Sequence, residues 1–201
     1  MLNDYFATKA KEYEKNSTRV TNVANISQAI RKRITFSTGM KIMDFGSGTG
    51  LLLKQIAPLV KEITAIDVSE SMMNQLVLQQ DTIECELRPL ILDLQHQDLD
   101  TQFDGIISSM TMHHIEDVPL LFKRLFDLLV PGGFIAIADI DTEDGSFHEQ
   151  DTGVHHHGFE RDWIMQEVSN AGFSDIRIET ASEIDKPQGL YSVFLLTGFR
   201  E

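Results

Sequence analysis

Acids and glycines at fixed spacing carry the clearest chemical signal in the chain. Asp44 opens the run Asp44-Phe45-Gly46-Ser47-Gly48-Thr49-Gly50, in which glycine recurs at every second position. Asp67 stands about twenty residues beyond the glycines, and Asp93 follows within Leu90-Ile91-Leu92-Asp93-Leu94. Glycine has no Cβ, so such a run lets the backbone bend sharply and lets a ligand come close. A carboxylate at the spacing of Asp67 can accept both hydroxyls of a ribose. Asp93 is placed to accept from an exocyclic amino group of an adenine, with Leu94 against the ring. Both later acids also suit plainer roles as helix caps or solvated strand ends. Jointly, the three point to a nucleotide-like ligand. A dinucleotide fingerprint would put its third glycine at position 51, where the chain has Leu51, and no Gly-Lys-Ser/Thr run offers a phosphate loop.

Histidine supplies the second signal. His113 and His114 end the segment Ser108-Ser109-Met110-Thr111-Met112-His113-His114, and His155-His156-His157 precedes Gly158-Phe159, with His148 just upstream. Imidazole titrates near neutral pH and suits a general base. Successive residues of an extended segment point in different directions, so the three consecutive histidines do not share one ion, and no metal is expected.

Strand ends are what would hold these groups together. Alternating or continuous apolar runs predict strands at about 40–45, 62–67, 86–92, 103–108 and 134–139, and two more at about 175–180 and 191–199. Pro89 argues that the third is an edge strand or starts irregularly. Helical spacing predicts helices from Arg19 to Ile34, with Gly39 as the stop, and at about 50–58 and 118–129. Another helix starts after Ser69, a plausible N-cap, and one runs from Glu160 to Ala171. Pro131-Gly132-Gly133 reads as a turn ahead of the fifth strand, and 140–158 as a long polar loop. Strand–helix alternation implies an α/β fold with a mostly parallel sheet, helices on both faces and an antiparallel last strand. Ligands of such sheets lie beyond the carboxyl ends of the strands.

Composition bounds the rest. The 201 residues suit one domain, 1–201, made of a helical arm (1–35) and a core (36–201). With 31 acidic against 17 basic residues and a formal net charge of -14, no nucleic-acid partner is expected. The cluster Arg31-Lys32-Arg33 is accounted for by a helix C-terminus. A single cysteine, Cys85, excludes an internal disulfide. No apolar run has the length of a membrane span, and Met1-Leu2-Asn3-Asp4-Tyr5 is too polar to open a signal peptide, so a cytoplasmic address with no membrane partner is expected.

The motifs in this order resemble those of the class I S-adenosylmethionine-dependent methyltransferases. Asp44 to Gly50 is similar to their first motif, Asp67 to the acid after strand two and Asp93 to their adenine-side acid. Phe103-Asp104-Gly105-Ile106-Ile107 resembles their fourth-strand motif, and Leu129-Val130-Pro131-Gly132-Gly133 their turn before strand five. The resemblance implies a Rossmann-like doubly wound sheet of seven strands and S-adenosyl-L-methionine as cofactor, leaving S-adenosyl-L-homocysteine. It places Asp44 at the methionine amino group, with Gly46, Ser47, Gly48 and Gly50 beside the amino-acid moiety. Asp67 and Val68 would hold the ribose, Asp93 and Leu94 the adenine, and Ser109 would complete the cofactor contacts. His113 and His114 become candidate catalytic residues. Tyr13, Met112 and His113 become candidate walls of a pocket for a small-molecule acceptor, together with His155, His156 and His157. An Asn/Asp-Pro-Pro-Tyr segment after strand four would mark adenine or glutamine amino-methylation, and a cysteine there cytosine methylation; the chain has neither at that place. A cofactor-binding protein without transfer, and a protein methyltransferase acting with a partner, are the alternatives.

Overall fold

A computed structural model of the chain describes residues 4–148 and 152–201. Met1 to Asn3 of the expected arm and residues 149–151 of the expected loop lie outside the described residues. The strands are β1 (Lys41–Phe45), β2 (Glu62–Asp67), β3 (Glu86–Ile91), β4 (Phe103–Ser109), β5 (Leu129–Ile140), β6 (Ser174–Lys186) and β7 (Gly189–Phe199). They form one seven-stranded sheet in the order β3-β2-β1-β4-β5-β7-β6, parallel except for β7, which runs antiparallel to both neighbours. The helices are α1 (Ser17–Arg33), α2 (Leu51–Ile56), α3 (Glu70–Leu78), α4 (Val118–Asp127) and α5 (Arg161–Asn170).

The two-residue period of the strands sorts the core between the two faces. Ile42, Ile107, Ala136 and Leu195 pack with α1, α2 and α3, whereas Met43, Ile106, Ile135 and Leu196 pack with α4 and α5. Helices therefore cover both faces, as alternation requires. The helix starts follow from capping: Asn16 accepts from Arg19 N at α1, Ser69 from Met72 N at α3, and Asp117 from Leu120 N at α4. Among the described residues no helix is long and apolar enough to cross a membrane.

Four local expectations change. The first helix begins two residues before Arg19, because Asn16 caps it, and it ends at Arg33, so that Gly39 lies in a separate turn rather than at the helix stop. Pro131-Gly132-Gly133 falls inside β5 as a bulge, since the register passes from Phe103 opposite Leu129 to Gly105 opposite Phe134. Arg200 fastens that bulge: its backbone N–H donates to the Gly133 carbonyl, and its carbonyl accepts from Gly132 N at 2.6 Å. The last two strands are longer than their apolar runs, because β6 carries polar residues outward along an edge and only Pro187-Gln188 separates it from β7.

Pro89 lies on an edge strand, for β3 pairs only with β2. Glu86 N and Leu92 N donate to Lys61 and Asp67 of the neighbouring chain segment. Alternation then turns the nitrogen of Pro89 away from β2, where its missing N–H removes no ladder bond.

Gly105 sits between β1 and β5, paired with Ile42 and Phe134. A Cβ there would stand 2.2 Å from the Phe134 ring. With paired strands on both sides the backbone has little room to yield. Gly105→Ala is expected to destabilise the fold by about 1–3 kcal/mol through overpacking alone. Denaturant midpoints measure this, and an unchanged midpoint would contradict the packing described.

Candidate active site

The carboxyl ends of β1, β2 and β4 converge on a cavity of about 540 Å³ and a smaller one of about 140 Å³. Gly46, Gly48, Ser109 and Met110 border both, so the glycine loop is a wall between two compartments. The smaller is lined by Ile66, Asp67, Val68, Asp93 and Leu94, and the larger by Asp44, Ser47, His113 and His114.

Asp44 is fully buried at the end of β1, and neither carboxylate oxygen has a hydrogen-bond partner among the described residues. Burial first, and then the negative Asp67, push its pKa up to about 8. The Leu53 N–H opposes the shift without reaching hydrogen-bond geometry. The hydroxyls of Thr49 and Ser109 are buried and unpartnered in the same sense. Such atoms are rare in folded proteins and call for a ligand with complementary donors and acceptors.

Asp67 does more than face a cavity. Its Oδ2 accepts from Gly48 N at 2.7 Å and its Oδ1 from Ser69 N at 2.8 Å, so it ties the glycine loop to the start of α3. Burial still raises its pKa despite these bonds. Asp93 combines the two roles open to it, since Oδ1 caps a turn through Gln95 N at 3.0 Å while the residue lines the small cavity. Gly46 needs its glycine: at φ +71° a Cβ would meet the Thr111 side chain at 2.2 Å. Gly50 lies behind the loop, where a Cβ would meet Leu76 at 2.6 Å, and it lines neither cavity. Ser47 reaches the larger cavity and donates to Met73 Sδ at 3.5 Å.

His113 follows β4 on a short turn and is 1% exposed. Its Nδ1 lies 2.7 Å from Asp139 Oδ1, and its backbone N–H donates to Oδ2 at 3.3 Å. Ile140 N donates to Asp139 Oδ1 at 2.8 Å. Burial pulls the Asp139 pKa upward, but the facing His113 and the Ile140 N–H together hold it below the usual carboxylate range. An ionised carboxylate can only accept, so Nδ1 carries a proton toward Asp139 and Nε2 is the ring nitrogen left over. His114 is lowered to about 4 by burial and by His113, while its Nδ1 meets the Gly153 carbonyl at 3.2 Å.

Residues of the arm border both cavities. Asp4 accepts from Ser69 Oγ at 2.8 Å and from Ser71 N at 3.1 Å, anchoring the arm to the start of α3. Phe6 and Tyr13 then line both cavities, and burial raises the Tyr13 pKa.

The structure does not bring every expected residue to the site. Met112 is fully buried in the core on the α4 side, and Met110 and Thr111 border the small cavity instead. Met110 has φ 58°, a left-handed conformation uncommon for methionine, and this turns the chain between β4 and His113. His155, His156 and His157 line neither cavity. Their segment runs behind His113 with its backbone toward it: His155 N and His156 N both donate to the His113 carbonyl, at 2.9 and 3.1 Å. The His156 ring turns to the Ile115 carbonyl, and that of His157 to Glu143. Asp139 and Met110 stand in the segments after β5 and β4 that were expected to face the site, but the pairing of Asp139 with His113 was not foreseen. An acid ending a strand beside a histidine-bearing turn is the signal that could have found Asp139.

Unfolded Asp44 ionises near 3.8 and the folded residue near 8. The unfolded chain therefore loses this proton first, and stability falls as pH rises between those values. Asp44→Asn removes the titration. Its melting temperature is expected to move upward relative to the unliganded parent protein by about 2 °C or more between about pH 5 and 8. A constant difference across that range would show that Asp44 is not raised.

Comparison with known proteins agrees with this geometry. A family profile described as a methyltransferase domain matches residues 19–191. An uncharacterized methyltransferase of Schizosaccharomyces pombe is 31% identical over 158 residues, covering 70% of this chain and 56% of its own length, so the chain spans little more than half of that relative. Phosphoethanolamine N-methyltransferase 2 of Haemonchus contortus, in complex with S-adenosyl-L-methionine, superposes with a TM-score of 0.72 at 18% identity, covering 100% of this chain and 60% of that one. The magnesium protoporphyrin IX methyltransferase of Synechocystis, with bound S-adenosylhomocysteine, gives a TM-score of 0.72 at 16% identity over 98% of this chain and 97% of that one. With its profile match running from α1 into β7, the chain belongs to the methyltransferase domain family.

Proposed function

We propose that the protein transfers a methyl group from S-adenosylmethionine to a small-molecule acceptor. The observation that carries this reading is the Asp44 carboxylate, buried beside the larger cavity and without a donor among the described residues, with Asp67 and Asp93 at the ends of the next strands. The donor set fits the cofactor. Asp44 would take the ammonium of the amino-acid part, and the unpartnered Ser109 and Thr49 hydroxyls would meet polar groups nearby. Asp67 has lone pairs left for ribose hydroxyls, and Asp93 accepts at the adenine end, where Ile66 and Leu94 supply apolar contact. When bound, the cofactor supplies an electrophilic methyl group on a sulfonium, open to in-line displacement.

The chain's own contribution is orientation and proton handling. A hydroxyl acceptor gives up its proton as its oxygen bonds to carbon, a primary or secondary amine after it has done so, and His113, which lines the larger cavity, would take that proton at Nε2. Asp139 fixes the ring tautomer and would stabilise the imidazolium that results. The backbone of His155 and His156 holds the turn that carries His113. A cavity of about 540 Å³, bordered by Phe6 and Tyr13 of the arm, supports an acceptor of small-molecule size.

Calorimetry with S-adenosylhomocysteine tests the cofactor assignment. Binding is expected, with Asp67→Ala weakening it by about 1–3 kcal/mol. No heat with this ligand, alongside binding of a nicotinamide dinucleotide, would sink it. Labelled-methyl transfer across small acceptors tests the base: His113→Ala and Asp139→Asn should each lower kcat by roughly 10²–10⁴. Cofactor affinity should stay within about twofold of the parent protein. A full kcat in Asp139→Asn would remove the dyad from the mechanism.

A further inference from the structure

S-adenosylmethionine is a zwitterion at its amino-acid end, with an ammonium and a carboxylate on one carbon. Asp44 suits the ammonium, and a carboxylate held so close to it needs donors of its own. The first long helix supplies candidates. Arg19, Asn22 and Val23 of α1 stand three and four residues apart, so they share one face of the helix, and all three line the larger cavity with Asp44, Ser47 and Thr49. Val23 packs against the same core cluster as Leu52 of α2, which sets this face of α1 beside the helix that follows the glycine loop.

Asn22 is the unusual member of that face. A carboxamide in mid-helix ordinarily turns to solvent or finds a partner. Asn22 is 4% exposed, and neither end of its amide forms a hydrogen bond among the described residues. Thr49, 2% exposed in the glycine loop, keeps an unpartnered hydroxyl on the same cavity. Arg19 lies one turn before Asn22, with its guanidinium 4.4 Å from the centroid of the Tyr13 ring, and it forms no ion pair among the described residues. A guanidinium over a ring keeps N–H groups for the paired oxygens of a carboxylate. Asn16 and Thr18, at the start of α1, line the cavity too, and no acid stands in the first turn to oppose the positive end of the helix dipole. Lys186, by contrast, is already engaged by the Phe147 carbonyl and ring.

We propose that Arg19 and Asn22 bind the carboxylate of the cofactor's amino-acid end while Asp44 binds its ammonium, so that the site recognises the zwitterion as a pair of charges. The inference rests on the methyltransferase reading and extends the cofactor side of that same site to α1. An amide suits the boundary between the two charges: Nδ2 of Asn22 donates to the carboxylate, and Oδ1 is left to accept from the ammonium. Adenosine sulfides without the carboxylate keep Asp44, Asp67 and Asp93 but lose the contacts to α1.

Calorimetry with three ligands tests this: S-adenosylhomocysteine, its decarboxylated counterpart, which keeps the amine, and methylthioadenosine, which lacks both groups. The parent protein is expected to bind S-adenosylhomocysteine about tenfold or more tightly than the decarboxylated ligand. Arg19→Gln should weaken S-adenosylhomocysteine about fivefold or more and leave the decarboxylated ligand within about twofold. Asn22→Asp keeps the shape of the side chain and sets a carboxylate where the cofactor's own would lie, so it should erase or reverse the preference. Arg19→Gln, at a half-buried position, guards against Asn22→Asp failing to fold. Lys9→Gln removes another cation from the cavity wall and should leave the preference unchanged. Equal affinity for the first two ligands in the parent protein, a preference unmoved in both α1 variants, or one lost in Lys9→Gln instead would overturn the assignment. Failure of all three ligands to bind would overturn the cofactor reading itself.

Discussion

A carboxylate placed near the middle of a mostly parallel sheet, with no donor among the described residues, is the constraint on which the site depends. Asp44 is the penultimate residue of β1, which is flanked by β2 and β4, so backbone amides on either side are committed to the ladder. Burying a charge without a partner is costly, and the folded chain meets that cost by raising the pKa rather than by supplying a counter-charge. The surroundings keep the space beside it open. The glycine loop bends away through left-handed conformations at Gly46, Gly48 and Gly50, and Asp67 fixes the loop in that course through Gly48 N. An arriving cation with N–H groups would satisfy in one step what the protein leaves unsatisfied.

The second fully buried aspartate at the site has the opposite fate. Asp139 receives the His113 ring, the His113 N–H and the Ile140 N–H, and its pKa is held down. Two carboxylates near the ends of β1 and β5, with β4 between them, are thus driven apart by their environments, one open to a ligand and the other locked to an imidazole. Divergence of this kind separates groups that bind from groups that handle protons. It also explains why the loop after β5 has to return to His113, since its backbone amides complete the support of the turn from behind.

Much of the fold was legible because the strands announce themselves by period and each strand end carries a small, acid or glycine-rich marker. The order of the motifs put Asp44, Asp67 and Asp93 at successive strand ends, and the sheet sets those three strands side by side. Local pattern could not reveal where a loop turns its side chains. His155 to His157 look like pocket residues in one dimension, but the segment presents its amides to His113 and its rings elsewhere. Met112 and Met110 differ only by a two-residue step, and the left-handed Met110 decides which of them faces the core. The Asp139–His113 contact joins residues 26 apart, a pairing fixed by strand order and not by spacing. Similarly, the bulge at Pro131-Gly132-Gly133 depends on Arg200 at the far end of the chain, which no local window contains.

Pro89 has a consequence beyond its own strand. A parallel sheet of this kind has two open flanks, and each invites another polypeptide to extend the ladder. On the β3 flank the outward nitrogen of Pro89 cannot donate, which leaves a gap in the row of free amides. On the β6 flank the pairing with β7 breaks register twice, between Ser174 and Arg177 and between Thr180 and Ser182, so the outer rim is not evenly spaced. Both rims are therefore poor templates for an eighth strand, and the features that interrupt them act as built-in resistance to edge-to-edge aggregation.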